Sequence, residues 1–506
     1  MSGDLSIEVE QLSPLEQRFE RWRVRLGVVL APAAFAGLLA ADFPSLRPEA
    51  HRLAAVMAAV VVLWLTEAVA MPVAALVGAS LCVVLRVAPA KEVFAPFADP
   101  IMFLFIGSFM LARAIFLHGL DRRLAYGVLS LSWVGGSPTR ILFAFGAVTA
   151  SLSAWISNTA TTAMMFAIGM SILGYLLDGD AAGQPVSRRY ATGLMLMTSF
   201  AASIGGLATP VGTPPNLIGL GKIRDSLGID IPFLKWMCLG VPIVSCLFCY
   251  LFVYLNWLCP AGRGAVPGEH ARLAHERRQL GPWTAGQRST CLVFALTVVL
   301  WIVPGVVALC AGEASELYRS IRDVFQEAVV ALLCAALLFV LPGGGGRKAL
   351  TWREAAEIDW GVVLLYGGGF ALGVLSDKTG LAAALGQNLA GLLPSTSGLG
   401  LLVAATVVAV LVSELTSNTA SAIIVVPVAI DIARAVGADP LEPALGAAFA
   451  ASLGFMLPVS TPCNAIVYGS GYIPLPRMVR YGLMLDVAGA AVIVLVVRLF
   501  SWIVRS

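Results

Sequence analysis

Apolar stretches long enough to cross a bilayer recur along the whole chain. They predict spans near 27–43, 53–71, 73–88, 100–118, 232–258, 289–310, 325–342, 360–376 and 481–502. Four further apolar stretches, near 137–176, 190–221, 397–434 and 442–472, are interrupted by Ser, Asn, Thr, Gly and Pro. The first and third of these read as re-entrant hairpins that return to their own side, the second and fourth as broken helices that cross. The pattern therefore predicts an all-α polytopic membrane protein with about eleven transmembrane helices and two re-entrant hairpins, because helices satisfy their own backbone in lipid. It divides into an N-terminal segment 1–26, a first transmembrane helix 27–52, a repeat 53–258, a polar linker 259–288 and a second repeat 289–506.

Composition agrees. With 58% hydrophobic and 12% charged residues and a mean hydropathy of +0.86, an ordinary soluble chain of 506 residues is excluded. The net charge of +3 matters less than its placement. Arg18, Arg21, Arg23 and Arg25 precede the first span, Arg263, Arg272, Arg277, Arg278 and Arg288 fill the linker, and Arg347, Lys348 and Arg353 follow the span near 325–342. Treating the two hairpins as re-entrant puts all three clusters on the cytoplasmic side of a plasma membrane, with the N-terminus cytoplasmic and the C-terminus outside. No basic face exists to bind nucleic acid. The polar start of the chain lacks the pattern of a removable leader. The nine cysteines have no metal-ligand spacing and read as packed thiols.

The two halves speak alike. Ser-x-x-x-Ser-Asn-Thr-Ala occurs at Ser153–Ala160 and at Ser413–Ala420, and Pro-Val-Gly-Thr-Pro-Pro-Asn at Pro210–Asn216 returns as Pro-Val-Ser-Thr-Pro-Cys-Asn at Pro458–Asn464. Asn158 and Asn418 differ by 260, Glu67 and Glu327 by 260, Leu120 and Leu381 by 261, and Pro210 and Pro458 by 248. An odd number of crossings separates the copies, so the repeats are inverted in topology. Matched breaks in two halves are the signature of a transporter site built from discontinuous helices.

The chemistry follows from the residue types. Ser153 and Ser157 are four apart and, if helical, share a face leading to Asn158 and Thr159, and Ser413, Ser417, Asn418 and Thr419 repeat this. Such tips offer hydroxyl, amide and carbonyl oxygens to a hard cation such as sodium, and amide donors and half-helix N-termini to an anion. Three prolines and a glycine in Pro210–Asn216 cannot sustain a helix. None of 153–160, 209–216, 413–420 and 458–464 contains Arg, Lys or His. A dianion held there needs its charge balanced, and a sodium ion at about 6 Å and an effective dielectric near 20 supplies roughly 3 kcal/mol per unit charge. Glu67 and Glu327 sit at buried span ends and read as scaffold anchors, and Glu414 reads as an inter-helix contact. No nucleophile–base pair or metal-ligand set lies at mid-membrane, which excludes an intramembrane enzyme.

These phrases resemble the divalent-anion/sodium symporter family over about 64–471. Trp64-Leu65-Thr66-Glu67-Ala68 is similar to its second-helix motif and Trp360–Phe370, with Gly367-Gly368-Gly369, to its glycine-rich segment. The resemblance implies a homodimer in the lipid bilayer whose transport domain moves as an elevator against a fixed scaffold. It implies one sodium site around Ser153, Ser157, Asn158 and Gly212 and a second around Ser413, Ser417, Asn418 and Ser460. Substrate carboxylates would meet Asn158, Thr159, Asn418, Thr419, Thr213, Thr461 and Pro462. The expected activity is sodium-coupled symport of C4 dicarboxylates such as succinate, malate or fumarate. A sodium-independent dicarboxylate exchanger, or sodium-coupled citrate or sulfate transport, are the alternatives. Ser460 for Gly212 and Cys463 for Pro215 are departures between the copies.

Overall fold

The computed structural model describes residues 14–44, 46–134, 137–177, 187–261, 269–384 and 397–505. Residues 1–13 of the N-terminal segment and 262–268 of the linker, Arg263 among them, lie outside the described residues.

The chain opens with α1 (Pro14–Ala40), α2 (Pro48–Thr66), α3 (Met71–Val84), the short α4 (Ala90–Phe94), α5 (Pro100–Leu117) and α6 (Leu120–Leu129). The first hairpin is α7 (Pro138–Ser153) and α8 (Asn158–Leu177), and the first broken helix is α9 (Arg188–Gly205) and α10 (Pro214–Leu227). Then come α11 (Phe233–Leu258), the linker helix α12 (Glu269–Gln279), α13 (Ala285–Ala311), α14 (Glu316–Val324) and α15 (Glu327–Leu337). A small antiparallel pair, β1 (Pro342–Gly344) and β2 (Arg347–Lys348), leads to α16 (Trp352–Ala355) and α17 (Trp360–Thr379). The second hairpin is α18 (Gly398–Leu415) and α19 (Asn418–Ala435), the second broken helix is α20 (Leu441–Ala450) and α21 (Pro462–Tyr468), and α22 (Leu475–Arg505) ends the chain.

This is a multi-pass helical membrane protein. Eleven helices among the described residues are long and apolar enough to cross a bilayer. Their membership corrects the spans read from hydropathy: α8, α18 and α19, all hairpin arms, are in the set, whereas α3, with 14 residues, and α15, with 11, are not. The span expected over 53–71 stops at Thr66, where Glu67 turns to φ 48° and ends the helix. Hydropathy cannot report that turn, because the residues on both sides of it are apolar.

Two bundles share the work. One packs α1 on α2, α3 on α17, α5 on α15 and α13 on α15; the other packs both hairpins, both broken helices, α11 and α22. The two meet along fewer pairs, chiefly α11 with α13, α17 with α19 and α10 with α17. Within the second bundle α9 is buried on every side from Tyr190 to Gly205, and so is the whole of α20. A helix that is covered all round belongs at a core rather than against lipid. By contrast α13 and α22 show Leu292, Val299, Leu309, Leu495 and Trp502 to the outside, as lipid-facing helices do. The broken helices thus start at the centre of their bundle, and their breaks are held there.

Both anchor carboxylates join helices. Glu67 pairs with Arg23 of α1 at 2.8 Å, and Glu327 accepts the Phe233 backbone N–H at 3.2 Å while its own carbonyl takes the Trp301 indole N–H at 3.0 Å. They are half-buried and not fully buried as the sequence context implied, because each stands at a helix end. The matched glycines Gly119 and Gly380 take the same left-handed turn, with φ 61° and 83°. Only glycine adopts that turn at no steric cost.

Candidate functional site

The first break is tied by one amide. α9 ends at Gly205, a single 3-10 turn runs over Gly206–Ala208, and the chain stays open until Thr213 starts α10. Asn216, fully buried, reaches back and donates its side-chain N–H groups to the carbonyls of Gly206 and Thr209, both at 2.8 Å. In the second half Asn464 does the same to Gly454 and Leu457, both at 2.9 Å. Gly206 and Gly454, and Thr209 and Leu457, each differ by 248, the offset of the proline phrases. The final Asn of each phrase therefore holds an unwound backbone that prolines cannot hold. Each carbonyl left without such a partner would cost about 1–3 kcal/mol in this buried setting.

The hairpin tips lie against these breaks. Ser153, with no exposed surface, donates to Asn158 Oδ1 at 2.7 Å. A Cβ added at Gly206 would come to 2.5 Å from Asn158 Oδ1, and one at Gly212 to 2.5 Å from the Gly206 carbonyl and 3.0 Å from that of Ala154. Hydroxyl, amide and two carbonyl oxygens thus gather where only glycine leaves room. In the second half Ser413 Oγ stands 2.8 Å from both Asn418 Oδ1 and the Ala451 carbonyl, and Asn418 reaches the Ser452 carbonyl at 3.5 Å. One hydroxyl proton is shared between two acceptors, so three oxygens crowd together at this tip, an arrangement that suits a hard cation.

Several expected ligands fall elsewhere. Ser157 and Ser417 do not share a helical face with Ser153 and Ser413, because the first arm of each hairpin ends before them. Each begins the next helix and accepts a backbone N–H, from Ala160 and Ala420, at 3.2 Å. Ser417 also points to Met71 Sδ, 3.3 Å away on α3. Ser460 is turned to Glu414, with its Oγ 2.7 Å from Glu414 Oε2 and 3.0 Å from the Glu414 carbonyl. Thr461 caps α21 through the Asn464 N–H at 3.1 Å, whereas Thr213 starts α10 without a side-chain cap.

The two halves cross over. α21 packs on α8 of the first hairpin, and α10 packs on α19 of the second. This brings Thr159 of the first tip together with Thr162, Ser203 and Cys463, which follows Pro462. The hydroxyls of Thr161 and Ser452 are buried without a hydrogen-bond partner, and those of Thr162 and Ser203 meet only the Cys463 thiol. Sequence reading missed Thr162, Ser203, Ser199 and Gly206. Ser199 and Ser203, four apart on α9 before the proline phrase, were the available signal; Ser199 donates to Asn464 Oδ1 at 2.6 Å.

The electrostatics are one-sided. Among the described residues Asp121, Glu414, Glu442 and Asp486 are buried, and no Arg, Lys or His is. No group of three or more His, Cys, Asp and Glu gathers as a metal site among them. The centre offers oxygen ligands, which suit a hard monovalent cation, and no fixed positive charge for an anion.

Comparison with known proteins follows the same line. The profile of the family described as sodium:sulfate symporter transmembrane region matches residues 24–505. The sodium-dependent dicarboxylate transporter SdcS of Staphylococcus saprophyticus is 32% identical over 480 residues, covering 93% of this chain and 90% of that protein. SdcS of Staphylococcus aureus is 32% identical over 479 residues at the same coverage. Among solved structures, the Alcanivorax borkumensis YdaH transporter shares the fold at a TM-score of 0.54 and 14% identity, covering 96% of this chain and 98% of that one. Neisseria gonorrhoeae MtrF, described among antimetabolite efflux pumps, gives a TM-score of 0.53 at 11% identity over 83% of this chain and 85% of that one.

Proposed function

Because this chain belongs to the sodium:sulfate symporter family, we propose that it imports C4 dicarboxylates such as succinate, malate or fumarate across the plasma membrane, coupled to sodium. The observation that carries this reading is the pair of oxygen nests at the hairpin tips, in a core without a buried basic side chain. A dianion placed between them has no basic side chain to balance it, and cations in the nests attract it by roughly 3 kcal/mol per unit-charge pair at about 6 Å. Substrate and sodium then bind together or not at all, which is the requirement for symport. The relatives named for sodium-dependent dicarboxylate transport support the same substrate class.

The first sodium would be held by Ser153, Asn158 and the backbone about Gly212, with Ser157 starting the adjoining helix. The second would be held by Ser413 and Asn418, with Ser417 and Ser460 flanking it. Asn158, Thr159, Asn418 and Thr419 would contact the carboxylates from the two tips, and Thr213, Thr461 and Pro462 from the breaks. Two bundles meeting along a thin seam suit an elevator, with the hairpin bundle moving against the other in each protomer of a homodimer. The hairpins would enter from opposite faces, with the N-terminus cytoplasmic and the C-terminus outside.

Uptake of labelled succinate into proteoliposomes tests this directly. Accumulation should require an inward sodium gradient and vanish when choline replaces sodium; equal uptake in choline would overturn it. Competition by unlabelled citrate or sulfate stronger than by malate would move the substrate class within the family.

A further inference from the structure

The second half carries a polar triad that the first half lacks. Ile231-Pro232 before α11 and Ile473-Pro474 before α22 differ by 242, and Gly240 and Gly482, at the same offset, both lie against the backbone of the preceding break: the Leu207 and Phe455 carbonyls. On these offsets Glu414, Ser460 and Asp486 stand where Ala154, Gly212 and Val244 stand in the first half. Glu414 is 2% exposed and Asp486 3%. Glu414 is fully engaged: Oε1 accepts the Met456 N–H at 2.8 Å and Oε2 the Ser460 hydroxyl at 2.7 Å. The Asp486 carboxyl meets that of Glu414 at hydrogen-bonding range and approaches the Phe455 backbone, while no other side-chain or backbone donor closes a hydrogen bond to either of its oxygens. No basic side chain is among the groups that act on Asp486.

We infer that Glu414, Asp486 and Ser460 form an additional site for a monovalent metal cation of sodium's class, confined to the second half. Two buried carboxyl groups in contact repel, and burying both without a compensating cation is prohibitive. A proton shared between Asp486 and Glu414 ties one Asp486 oxygen and leaves the other without a donor. A metal cation is bound by both Asp486 oxygens together with Glu414 Oε2 and Ser460 Oγ, all hard oxygen ligands. Ser460 ties this site to the Asn418 nest through the adjoining Glu414 and Ser413, so its occupant adds one positive charge beside the second nest. The inference deepens the sodium-coupled reading and rests on it.

The test compares wild type with Glu414→Ala/Asp486→Val, which copies the first half, and with Asp486→Asn, which keeps the shape. Charge moved per succinate is measured in proteoliposomes, and sodium binding by titrated thermal stabilisation of the purified protein. The double variant should move one positive charge fewer per succinate and show a shallower sodium titration. Asp486→Asn should raise the half-saturating sodium about tenfold or more, since a unit charge in contact with the ion is lost. Unchanged charge and titration in the variants would overturn the site, as would wild-type uptake in which protons, followed by a lumenal dye, carry the extra charge. If the double variant does not fold, Asp486→Asn decides alone. A wild type indifferent to sodium sinks the sodium-coupled reading itself, and is told apart by that.

Discussion

The first break and the second share their backbone and differ in what surrounds it. Asn216 and Asn464 tie the same two carbonyls, and Ser153–Asn158 and Ser413–Asn418 make the same contact at 2.7 and 2.8 Å. Around that common frame the first half places Ala154, Gly212 and Val244, and the second Glu414, Ser460 and Asp486. The first nest is formed by removal: glycine leaves space and carbonyls line it. The second adds side-chain oxygens and negative charge. Duplicated geometry therefore does not imply duplicated electrostatics, and cations at the two proposed nests would be held with different strength.

The largest effect is expected where the halves are alike. Asn158→Ala and Asn418→Ala each remove the amide oxygen that its serine touches and should lower succinate uptake about 100-fold or more, as loss of about 3 kcal/mol implies. Normal uptake in either variant, with protein inserted and folded, breaks the equivalence of the tips. Next come the ties. Asn216→Ala and Asn464→Ala each leave two buried carbonyls unpaired and should destabilise by about 2–5 kcal/mol. The second should fall further, because Ser199 also loses its acceptor, at 2.6 Å. Melting of the purified variants orders them, and the reverse order would show that the second break is held by other contacts.

Much of this frame was legible in the chain. Paired phrases at constant offset marked the tips and breaks, because Pro and Gly cannot sit in a membrane helix without a structural reason. Asp486 was not legible: a lone Asp in an apolar helix has no repeated partner to announce it, and its meaning comes only from Glu414 across the break. Ser157 was misplaced for a different reason. The four-residue spacing implies a shared face only while the helix continues, and here it ends at Ser153. The glycine at 206 was overlooked because its role depends on Asn158 coming to it from another helix.

Smaller effects follow from the same contrast. Gly212→Ser installs the second half's residue in the first, where its Cβ would crowd the Gly206 carbonyl, and overpacking of this kind costs about 1–3 kcal/mol. Half-saturating sodium should rise about fivefold or more, the factor that the lower end of that cost implies. Ser157→Ala removes a helix cap worth about 1 kcal/mol. It should raise the sodium needed for half-maximal uptake less than Gly212→Ser does. A Ser157 effect equal to that of Asn158 would mean the hydroxyl binds the ion itself.

The smallest effect concerns the seam between bundles, where the halves again part company. The stretch from Lys222 to Lys235, which ends the first broken helix and enters α11, carries four ion pairs to the other bundle: Lys222–Asp377 at 3.3 Å, and Arg224–Asp99, Arg322–Asp230 and Lys235–Glu313 at 2.6 Å each. Among the described residues the matching stretch of the second half, 464–478, makes no such pair. The Lys235–Glu313 pair lies at the end of α13 away from the Arg-rich linker, since α13 runs its 27 residues between them. Single pairs of this exposure are worth about 0–1 kcal/mol, so Asp377→Asn should leave melting almost unchanged. If the hairpin bundle slides, however, these contacts must open each cycle while the second half has none to open. Asp377→Asn together with Asp99→Asn should then shift the resting balance by about threefold, at about 0.3 kcal/mol per pair. That shift is read as faster alkylation of a cysteine placed at Leu220, in the cleft beside these pairs. Unchanged labelling would mean that the ion pairs ride with the seam and do not hold it.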